Sequence, residues 1–440
     1  MRAVIRTFGN HCHNKRPWKI FMKNWLITAS VVLVCLGVSA HARPATDEAV
    51  IAALQAQVYA LIARVERLEG RLEGRLGRGL ERREQIAESS LTAPFAPTSA
   101  QGDVRPGWTE RIKINGDFRY RHETIDTSNS STRHRQRIRA RTALIAEVSD
   151  TVEVGFGLAS GGDDPVSTNQ TLGDGSSSKG VRLDLAYMNW KTPVHGLKVM
   201  AGKFKNPFHR AGGNSLLWDS DLNPEGGAVT YRNGTFSAIA VGLWLNEVAN
   251  DDDSFLFGSQ LSWEAAIRNG AMLNAGFGYY HFANVEGKPV FFDGNPRGNS
   301  VDLMGNYLFG YQNVEAFAEL TFDLADQPVT LFANYVKNLE ADKFDTGYAV
   351  GAKMKFMHGS HPWQLAYTYQ DLEADAVLGI VTDSDFIGGG TDGSGHILRG
   401  SYGVSNKISL NGTLFINERG GDLGIEEDYD RLQLDVSFKY

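Results

Sequence analysis

Residues 430–440, DRLQLDVSFKY, are the most informative stretch of this chain. Apolar or aromatic side chains alternate with polar ones along the stretch without a break. The apolar face carries Leu432, Leu434, Val436, Phe438 and Tyr440. A strand with one apolar and one polar face separates lipid or a protein core from water, and an aromatic residue at its end suits a bilayer interface. The stretch therefore predicts the closing strand of an outer-membrane β-barrel.

The N-terminal segment predicts export from the cytoplasm. A charged start at residues 22–24 precedes an apolar run over residues 25–38 and the sequence AHA at residues 40–42. This is the pattern of a secretory signal peptide, so we expect residues 1–42 to be an N-terminal extension and signal peptide. Translation can start at Met1 or at Met22. A membrane anchor is the alternative, but the run is shorter than the ~20 residues that a helical span needs.

The composition narrows the function classes. The chain has 44 Lys and Arg, 51 Asp and Glu and a net charge of −7, which argues against a basic face for nucleic acids. Both cysteines, Cys12 and Cys35, lie in the predicted signal region, so the mature chain has no thiol for catalysis or metal binding. The sequence also lacks nucleotide-binding and zinc-binding motifs. We therefore predict no catalytic residues, no cofactor and no metal site.

Residues 43–88 predict a short periplasmic coiled-coil helix. Apolar side chains recur at steps of three and four, with β-branched residues mostly at one heptad position and leucine at the other. They are Ile51, Leu54, Val58, Leu61, Val65, Leu68 and Leu72. A single amphipathic helix lying on the barrel or the membrane is the alternative. Residues 89–107, rich in Ser, Thr, Ala, Pro and Gly, predict a flexible linker before a barrel domain over residues 108–440.

From residue 111 onward, alternation and turn residues predict an all-β, transmembrane antiparallel barrel of about sixteen strands. The predicted strands are 111–123, 135–149, 152–160, 181–192, 197–204, 226–232, 235–246, 255–268, 271–284, 313–324, 328–339, 346–357, 362–373, 395–403, 407–417 and 430–440. Long polar connections, the first over residues 124–134, alternate with tight turns. This places both termini on the periplasmic side, and an even number of strands lets the barrel close. Residues 301–311 could add to the wall, which leaves eighteen strands as an alternative.

Five segments resemble the putative porin family of Gram-negative outer membranes. They are residues 111–121 (RIKINGDFRYR), 201–208 (AGKFKNPF), 223–231 (NPEGGAVTY), 329–339 (VTLFANYVKNL) and 384–392 (SDFIGGGTD). The overall plan is also similar to that of trimeric sixteen-strand diffusion porins, in which the third long loop folds into the lumen. The resemblance implies a homotrimer in the outer membrane of a Gram-negative bacterium, in contact with lipid and lipopolysaccharide. It does not identify the solute.

Strand phase predicts a basic wall on the inner face of the first two strands. If the apolar side chains face lipid, the alternate positions face the lumen, because a cation facing lipid at the midplane costs about 2–4 kcal/mol. The basic residues at these positions are Arg111, Lys113, Arg119, Arg121, Arg137, Arg139 and Arg141. Such a row could pass anionic groups along the pore. A solvated wall at the outer mouth is the alternative.

Acidic side chains are predicted on the opposite wall and in the third long loop. The inner positions of the tenth strand carry Glu315, Glu319 and Asp323. The loop over residues 205–225 carries Arg210, Trp218, Asp219, Asp221 and Glu225. The resemblance implies that this loop narrows the pore. Opposed acids and bases would set a transverse field, whereas turn or cap chemistry is the alternative for the loop carboxylates. Asp383 and Asp385 are predicted at the exposed outer mouth, where they would attract cations or bind divalent ions.

These patterns favour a porin, a water-filled channel for passive diffusion of small hydrophilic solutes or ions, with a weak anion preference. A buried arginine row would outweigh the charges at the rim, which salt screens over about 8 Å. Two alternatives are a solute-specific channel for an anionic nutrient and an outer-membrane enzyme. The coiled coil could also contact peptidoglycan.

Overall fold

The computed structural model describes residues 111–440. The predicted signal peptide, coiled coil and linker, residues 1–107, lie outside the described residues. Among the described residues, no helix is both long and apolar enough to cross a membrane.

The described residues form one closed, antiparallel β-barrel. Its strands are β1 Ile112–Thr127, β2 Ser130–Glu147, β3 Val152–Ser160, β4 Gln170–Thr171, β5 Val181–Lys191, β6 Leu197–Lys203, β7 Glu225–Arg232, β8 Phe236–Asn246, β9 Ser254–Ala266, β10 Met272–Ala283, β11 Tyr311–Leu324, β12 Gln327–Asn338, β13 Thr346–His358, β14 His361–Leu372, β15 Gly393–Gly403, β16 Ile408–Arg419 and β17 Glu427–Lys439. Sixteen of them form the wall in chain order, and β17 pairs with β1. The short β4 pairs with β2. The predicted sixteen-strand barrel is confirmed. The eighteen-strand alternative is wrong, because residues 301–310 form only isolated bridges.

The connections differ between the two ends of the barrel. Tight turns join strands at one end, and the connections at the other end are longer, apart from the turn between β1 and β2. Three long loops matter below: the β6–β7 loop (204–224), the β10–β11 loop (284–310) and the β14–β15 loop (373–392). Short 3₁₀ turns occupy Ala211–Gly213, Arg268–Gly270, Gly379–Val381 and Phe386–Gly388.

The first connection is shorter than the sequence predicts. Thr124 pairs with His134 and Ile125 with Arg133, so β1 and β2 continue to a turn at residues 128–129. The predicted loop over residues 124–134 is therefore wrong. Polar residues there still pair across the two strands, and polarity alone does not end a strand.

The terminal strand closes the barrel. Gly116 and Tyr440 exchange backbone hydrogen bonds with N···O distances of 3.1 and 3.0 Å. The Tyr440 ring lies over Gly116, where an added Cβ would come within 2.3 Å of the ring, so a residue without a side chain is needed here. The Tyr440 hydroxyl lies 2.5 Å from Thr142 Oγ1. Phe118 pairs with Phe438 in the same register.

The wall has an apolar outer face and a polar lumen. Large apolar side chains such as Ile114, Phe156 and Leu365 are exposed on the outside, which is the surface that a barrel presents to lipid. The largest buried apolar cluster lies inside the barrel and combines wall residues with residues of the three long loops. These loops therefore pack within the lumen.

Candidate functional site

The β6–β7 loop crosses the lumen between two separate parts of the wall. On one side, the Asp221 carboxylate accepts hydrogen bonds from Arg141 Nη1 at 2.9 Å and Arg139 Nη1 at 3.5 Å, both on β2. On the other side, the Gly212 N–H donates to Glu319 Oε1 on β11 at 2.6 Å. Because β2 and β11 are far apart in the strand order, the loop narrows the lumen.

Aromatic packing holds the middle of this loop. Trp218 stacks on Phe208 with ring centroids 5.2 Å apart, and Tyr280 on β10 meets both rings edge-on. Leu216 and Leu217 are buried in the same cluster. Full burial of such side chains contributes about 1.5–3 kcal/mol each, so the loop is a fixed part of the lumen.

The β14–β15 loop also folds into the lumen and joins the first loop. The Ser384 N–H donates to Asp219 Oδ2 at 2.8 Å. The Asp385 carboxylate lies 3.0 Å from Arg121 Nη1 on β1 and 2.7 Å from Arg431 Nη2 on β17. Together the two loops and the wall enclose a small polar space.

The prediction that Asp383 and Asp385 lie at an exposed mouth is wrong. Asp383 is 8% exposed, and Asp385 pairs with arginines of the inner wall. The cause is the apolar pair Phe386 and Ile387, which is buried and draws the loop inward. This pair within an acidic loop is the sequence signal that could have indicated burial.

Several arginines of the predicted basic wall are paired with carboxylates. Arg121 donates from Nε and Nη2 to Asp435 at 2.7 and 2.8 Å. Arg139 and Arg141 share Asp117, with N···O distances of 2.9 and 2.8 Å. The inner face of the first two strands therefore carries charges of both signs rather than an unbroken basic row.

The remaining basic residues of β1 have different surroundings. Arg119 donates from Nη2 to Asn169 Oδ1 at 2.6 Å. Arg111 and Lys113 lie at the tight-turn end of the barrel, where Lys113 forms an exposed pair with Glu147 at 2.6 Å. These two residues are therefore away from the space enclosed by the loops.

Sequence reasoning missed Glu123 as the centre of the luminal charge network. Its side chain is 0% exposed and accepts hydrogen bonds from Arg431 Nη2 at 2.7 Å and from Arg135 Nε. Arg121 and Arg137 lie 3.4 and 3.6 Å away. Alternation places Glu123 on the same face as Arg121, so strand phase could have identified it as luminal.

The predicted acidic wall comprises three different environments. Glu315 is buried and accepts a hydrogen bond from Tyr280 Oη at 2.7 Å. Glu319 binds the β6–β7 loop, and its Oε2 lies 2.7 Å from His209 Nε2. Asp323 is exposed at the tight-turn end. The three carboxylates are therefore not equivalent, and only Glu319 directly holds the loop.

The predicted loop residues are also divided. Glu225 is the first residue of β7, where its carboxylate pairs with Lys203 at 2.9 Å, so it belongs to the wall rather than to the loop. Arg210 donates from Nη1 to Ser215 Oγ at 3.2 Å and to Trp218 O at 3.4 Å. Arg210 therefore braces the bend that presents the loop aspartates.

Two cavities flank the β6–β7 loop. The smaller, of about 190 Å³, lies between the β6–β7 loop, the β14–β15 loop and the wall. Its charged lining residues are Arg119, Arg121, Arg139, Arg210, Arg399, Asp219, Asp221, Asp383 and Asp385. The larger, of about 720 Å³, lies toward the tight-turn end and is lined in part by Phe208, His209, Tyr231 and Glu319. The smaller cavity, where charges converge, is the candidate site.

Comparison with known proteins identifies the family. The family described as Putative porin matches residues 126–293 and 299–440. The chain belongs to this family. Among solved structures, this porin is similar to Pseudomonas putida OprB in its high-pH structure, with 14% identity, 76% of this chain and 95% of that chain covered, and a TM-score of 0.53. A triple mutant of the Rhodopseudomonas blastica porin shows 12% identity, coverage of 75% and 100%, and a TM-score of 0.45. No curated protein matches the chain.

The family and the fold together give the general role of this porin. A barrel of this family is a bacterial outer-membrane protein, and the family and the fold support a channel for passive diffusion. The likeness to OprB shows the fold alone, so the roles of individual side chains rest on the geometry of this chain.

Burial and neighbouring charges shift the pKa values of Asp219, on the β6–β7 loop, and Asp385, on the β14–β15 loop, in opposite directions. Burial, together with the charges of Asp383 and Asp221, raises the pKa of Asp219 to about 8. Burial also opposes ionisation of Asp385, but the charge of Arg431 and of a second arginine outweighs it and holds the pKa of Asp385 well below its usual range. At neutral pH Asp219 keeps its proton and Asp385 is ionised.

The ion selectivity of the porin is expected to change near pH 8. Ionisation of Asp219, which faces Asp221, Asp383 and Arg210, adds a negative charge to the smaller cavity and raises relative cation permeability.

The folded-state pKa of Asp219 lies above the ordinary value of 3.8, so between about pH 4 and pH 8 the folded chain binds a proton that the unfolded chain has released. This group therefore lowers stability as the pH rises through that range.

Reversal potentials of reconstituted porin at a series of pH values test the expected change in ion selectivity. The variant Asp219→Asn, which cannot ionise, should show a flat profile around pH 8. A step of equal size in the variant would contradict the assignment to Asp219.

Gly212 determines how closely the β6–β7 loop approaches the wall. Its φ is 61°, and an added Cβ would lie 2.2 Å from the Phe332 ring on β12. Gly212→Val is expected to weaken loop docking by roughly 2–6 kcal/mol through backbone strain and overpacking, and to raise single-channel conductance. Gly213→Val controls for the backbone strain, since Gly213 has a φ of 76° but no atom within 4 Å of an added Cβ. Gly213 lines the smaller cavity, so this control should not raise the conductance. Equal conductance in the two variants would argue against this contact.

Proposed function

We propose that this porin forms a water-filled channel through which small hydrophilic solutes and ions diffuse across the outer membrane of a Gram-negative bacterium. The supporting observation is the smaller cavity, where two inner loops and the wall bring charged side chains of both signs together. Polar groups in a pore replace part of the hydration of a passing polar solute. An apolar solute gains nothing comparable, so the lining discriminates against it.

The same lining supports a weak anion preference. Five arginines and four aspartates surround the smaller cavity, and Asp219 keeps its proton at neutral pH, which leaves an excess of positive charge. Arg119, Arg121 and Arg139 of the predicted basic wall contribute to this excess. Ions in the cavity pass within a Debye length of these groups, so physiological salt screens the interaction only partly.

The proposal includes a homotrimer surrounded by lipid and lipopolysaccharide, with residues 43–88 as a coiled coil that contacts peptidoglycan. The heptad pattern of the sequence supports assembly, and exposed outer side chains such as Phe257, Leu261 and Trp263 suit contact with lipid or a second copy. Chemical cross-linking and peptidoglycan co-sedimentation of the full chain and of a variant lacking residues 45–88 test these contacts. Monomers in both samples would contradict the trimer, and equal sedimentation would contradict the peptidoglycan contact.

Single-channel recording in planar lipid bilayers tests the channel itself. Folded protein is expected to give ohmic conductance steps, and a salt gradient should give a reversal potential that indicates weak anion preference. Well-folded protein that inserts without conducting would overturn the proposed function. Conductance with cation preference at neutral pH would overturn only the proposed selectivity.

A further inference from the structure

The smaller cavity contains arginines that the protein does not pair closely with carboxylates. Arg210 donates to Ser215 Oγ and Trp218 O, and no carboxylate oxygen of the described residues lies within 4.0 Å of its guanidinium. Arg399 lies 3.8 Å from Asp383, which is too far for a hydrogen bond. Both guanidinium groups therefore have donors available to a solute.

Arg119 is a third arginine of this kind. Its Nη2 donates to Asn169, but its nearest carboxylate within residues 111–440, that of Asp435, is 3.7 Å away. Its Nε is buried and has no hydrogen-bond partner in the described part of the chain. A buried donor without a partner is unfavourable, so the protein pairs the guanidinium of Arg119 incompletely, as it does those of Arg210 and Arg399.

The neighbouring luminal arginines provide the contrast. Arg121, Arg139, Arg141 and Arg431 each have a carboxylate oxygen at 2.7–2.9 Å. Within the cavity lining, Arg121 and Arg139 are thus closely paired, whereas Arg119, Arg210 and Arg399 are not. Outside the cavity, Arg137 is also loosely paired, with Glu123 at 3.6 Å. Since buried charges in proteins are ordinarily paired, an incomplete set at one cavity points to an anionic ligand.

We propose that the smaller cavity is a saturable binding site for a small hydroxy-monocarboxylate, an inference that rests on the channel function proposed above. The carboxylate binds the donors of Arg119, Arg210 and Arg399, because a guanidinium fork matches a carboxylate geometrically. The solute hydroxyls bond to the polar groups on the cavity wall, among them Ser215 and Thr413.

Volume and charge restrict the solute further. A cavity of about 150 Å³ accommodates benzene, so one of about 190 Å³ fits a solute of about three to five carbons. The carboxyls of Asp221 and Asp383 also line the cavity, and they repel a second negative charge while accepting hydrogen bonds from hydroxyls. A monoanion with hydroxyl groups satisfies both conditions, whereas a divalent anion does not.

The experiment measures block of the single-channel current of the full chain by sodium glycerate, with glycerol and inorganic phosphate as comparison solutes. Glycerate is expected to block in a saturable manner, and glycerol and phosphate only at much higher concentrations. Arg210→Gln and Arg399→Gln should each raise the half-blocking glycerate concentration about ten-fold or more. Arg268→Gln, which removes an exposed arginine from a tight turn outside the cavity, should leave it unchanged. Calorimetric titration of detergent-folded protein with glycerate reports the same site without requiring conductance.

Each outcome separates this inference from the channel function. Conductance without saturable glycerate block or calorimetric binding would overturn the site and leave the channel in place. Glycerate binding by folded protein that does not conduct would support the site and overturn the channel. Equal block by phosphate or glycerol would overturn the hydroxy-monocarboxylate class, and unchanged block in both cavity variants would overturn the assignment to these arginines.

Discussion

Replacing Glu123 with glutamine is expected to lower the free energy of unfolding of the barrel by about 3–5 kcal/mol. Glu123 is fully buried and accepts hydrogen bonds from Arg431 and Arg135, with Arg121 and Arg137 within 3.6 Å. Glutamine keeps the shape but not the charge, so four arginines lose a shared counter-charge in a site that excludes water. Removing one member of a buried ion network costs far more than removing an exposed pair.

Urea unfolding of protein reconstituted into lipid vesicles, followed by tryptophan fluorescence, measures this effect. Glu147→Gln is the matched control, because it removes a carboxylate from the exposed pair with Lys113. The control is expected to change stability far less, because solvent screens an exposed ion pair. Comparable losses in the two variants would show that the Glu123 network does not stabilise the barrel.

The wall of this barrel could be predicted from sequence because its environment imposes a period of two. Lipid on one side and water on the other select apolar and polar residues in turn, so the phase of each strand follows from residues such as Leu434 and Asp435. The alternation along the first strand also predicted that Arg121 faces the lumen. Its partner Asp435 is 314 positions away, and the pair meets only because β1 closes on β17 in one register.

The loops were harder to predict because no periodic environment acts on them. Whether Asp385 lies at the mouth or in the lumen depends on the balance between burying Phe386 and Ile387 and desolvating a carboxylate. That balance is decided by Arg121 and Arg431, which neutralise Asp385 from two strands distant in sequence. Local composition supplies the apolar pair Phe386 and Ile387 as a signal for burial, but it does not supply the two arginines that compensate the buried carboxylate.

Replacing Arg139 and Arg141 together with glutamine is expected to change the channel from anion to cation preference. These two side chains neutralise Asp117 on β1 and Asp221 on the β6–β7 loop. Their loss leaves two carboxylates unpaired beside the cavity. Two unit charges within about 8 Å of a passing ion, at an effective dielectric constant near 20 and with partial screening, should change the permeability ratio on the order of ten-fold.

Reversal potentials under a salt gradient measure this change, and two comparisons isolate its cause. Arg111→Gln with Lys113→Gln removes the same formal charge at the tight-turn end and should have little effect, since salt screens distant charges over about 8 Å. Adding Asp117→Asn and Asp221→Asn to the arginine pair should restore selectivity close to that of the unmodified channel, because the lost cations and anions then balance. Cation preference that persists in the fourfold variant would mean that other carboxylates, and not this paired set, control the selectivity. An equal change in the tight-turn variant would mean that net charge alone determines it.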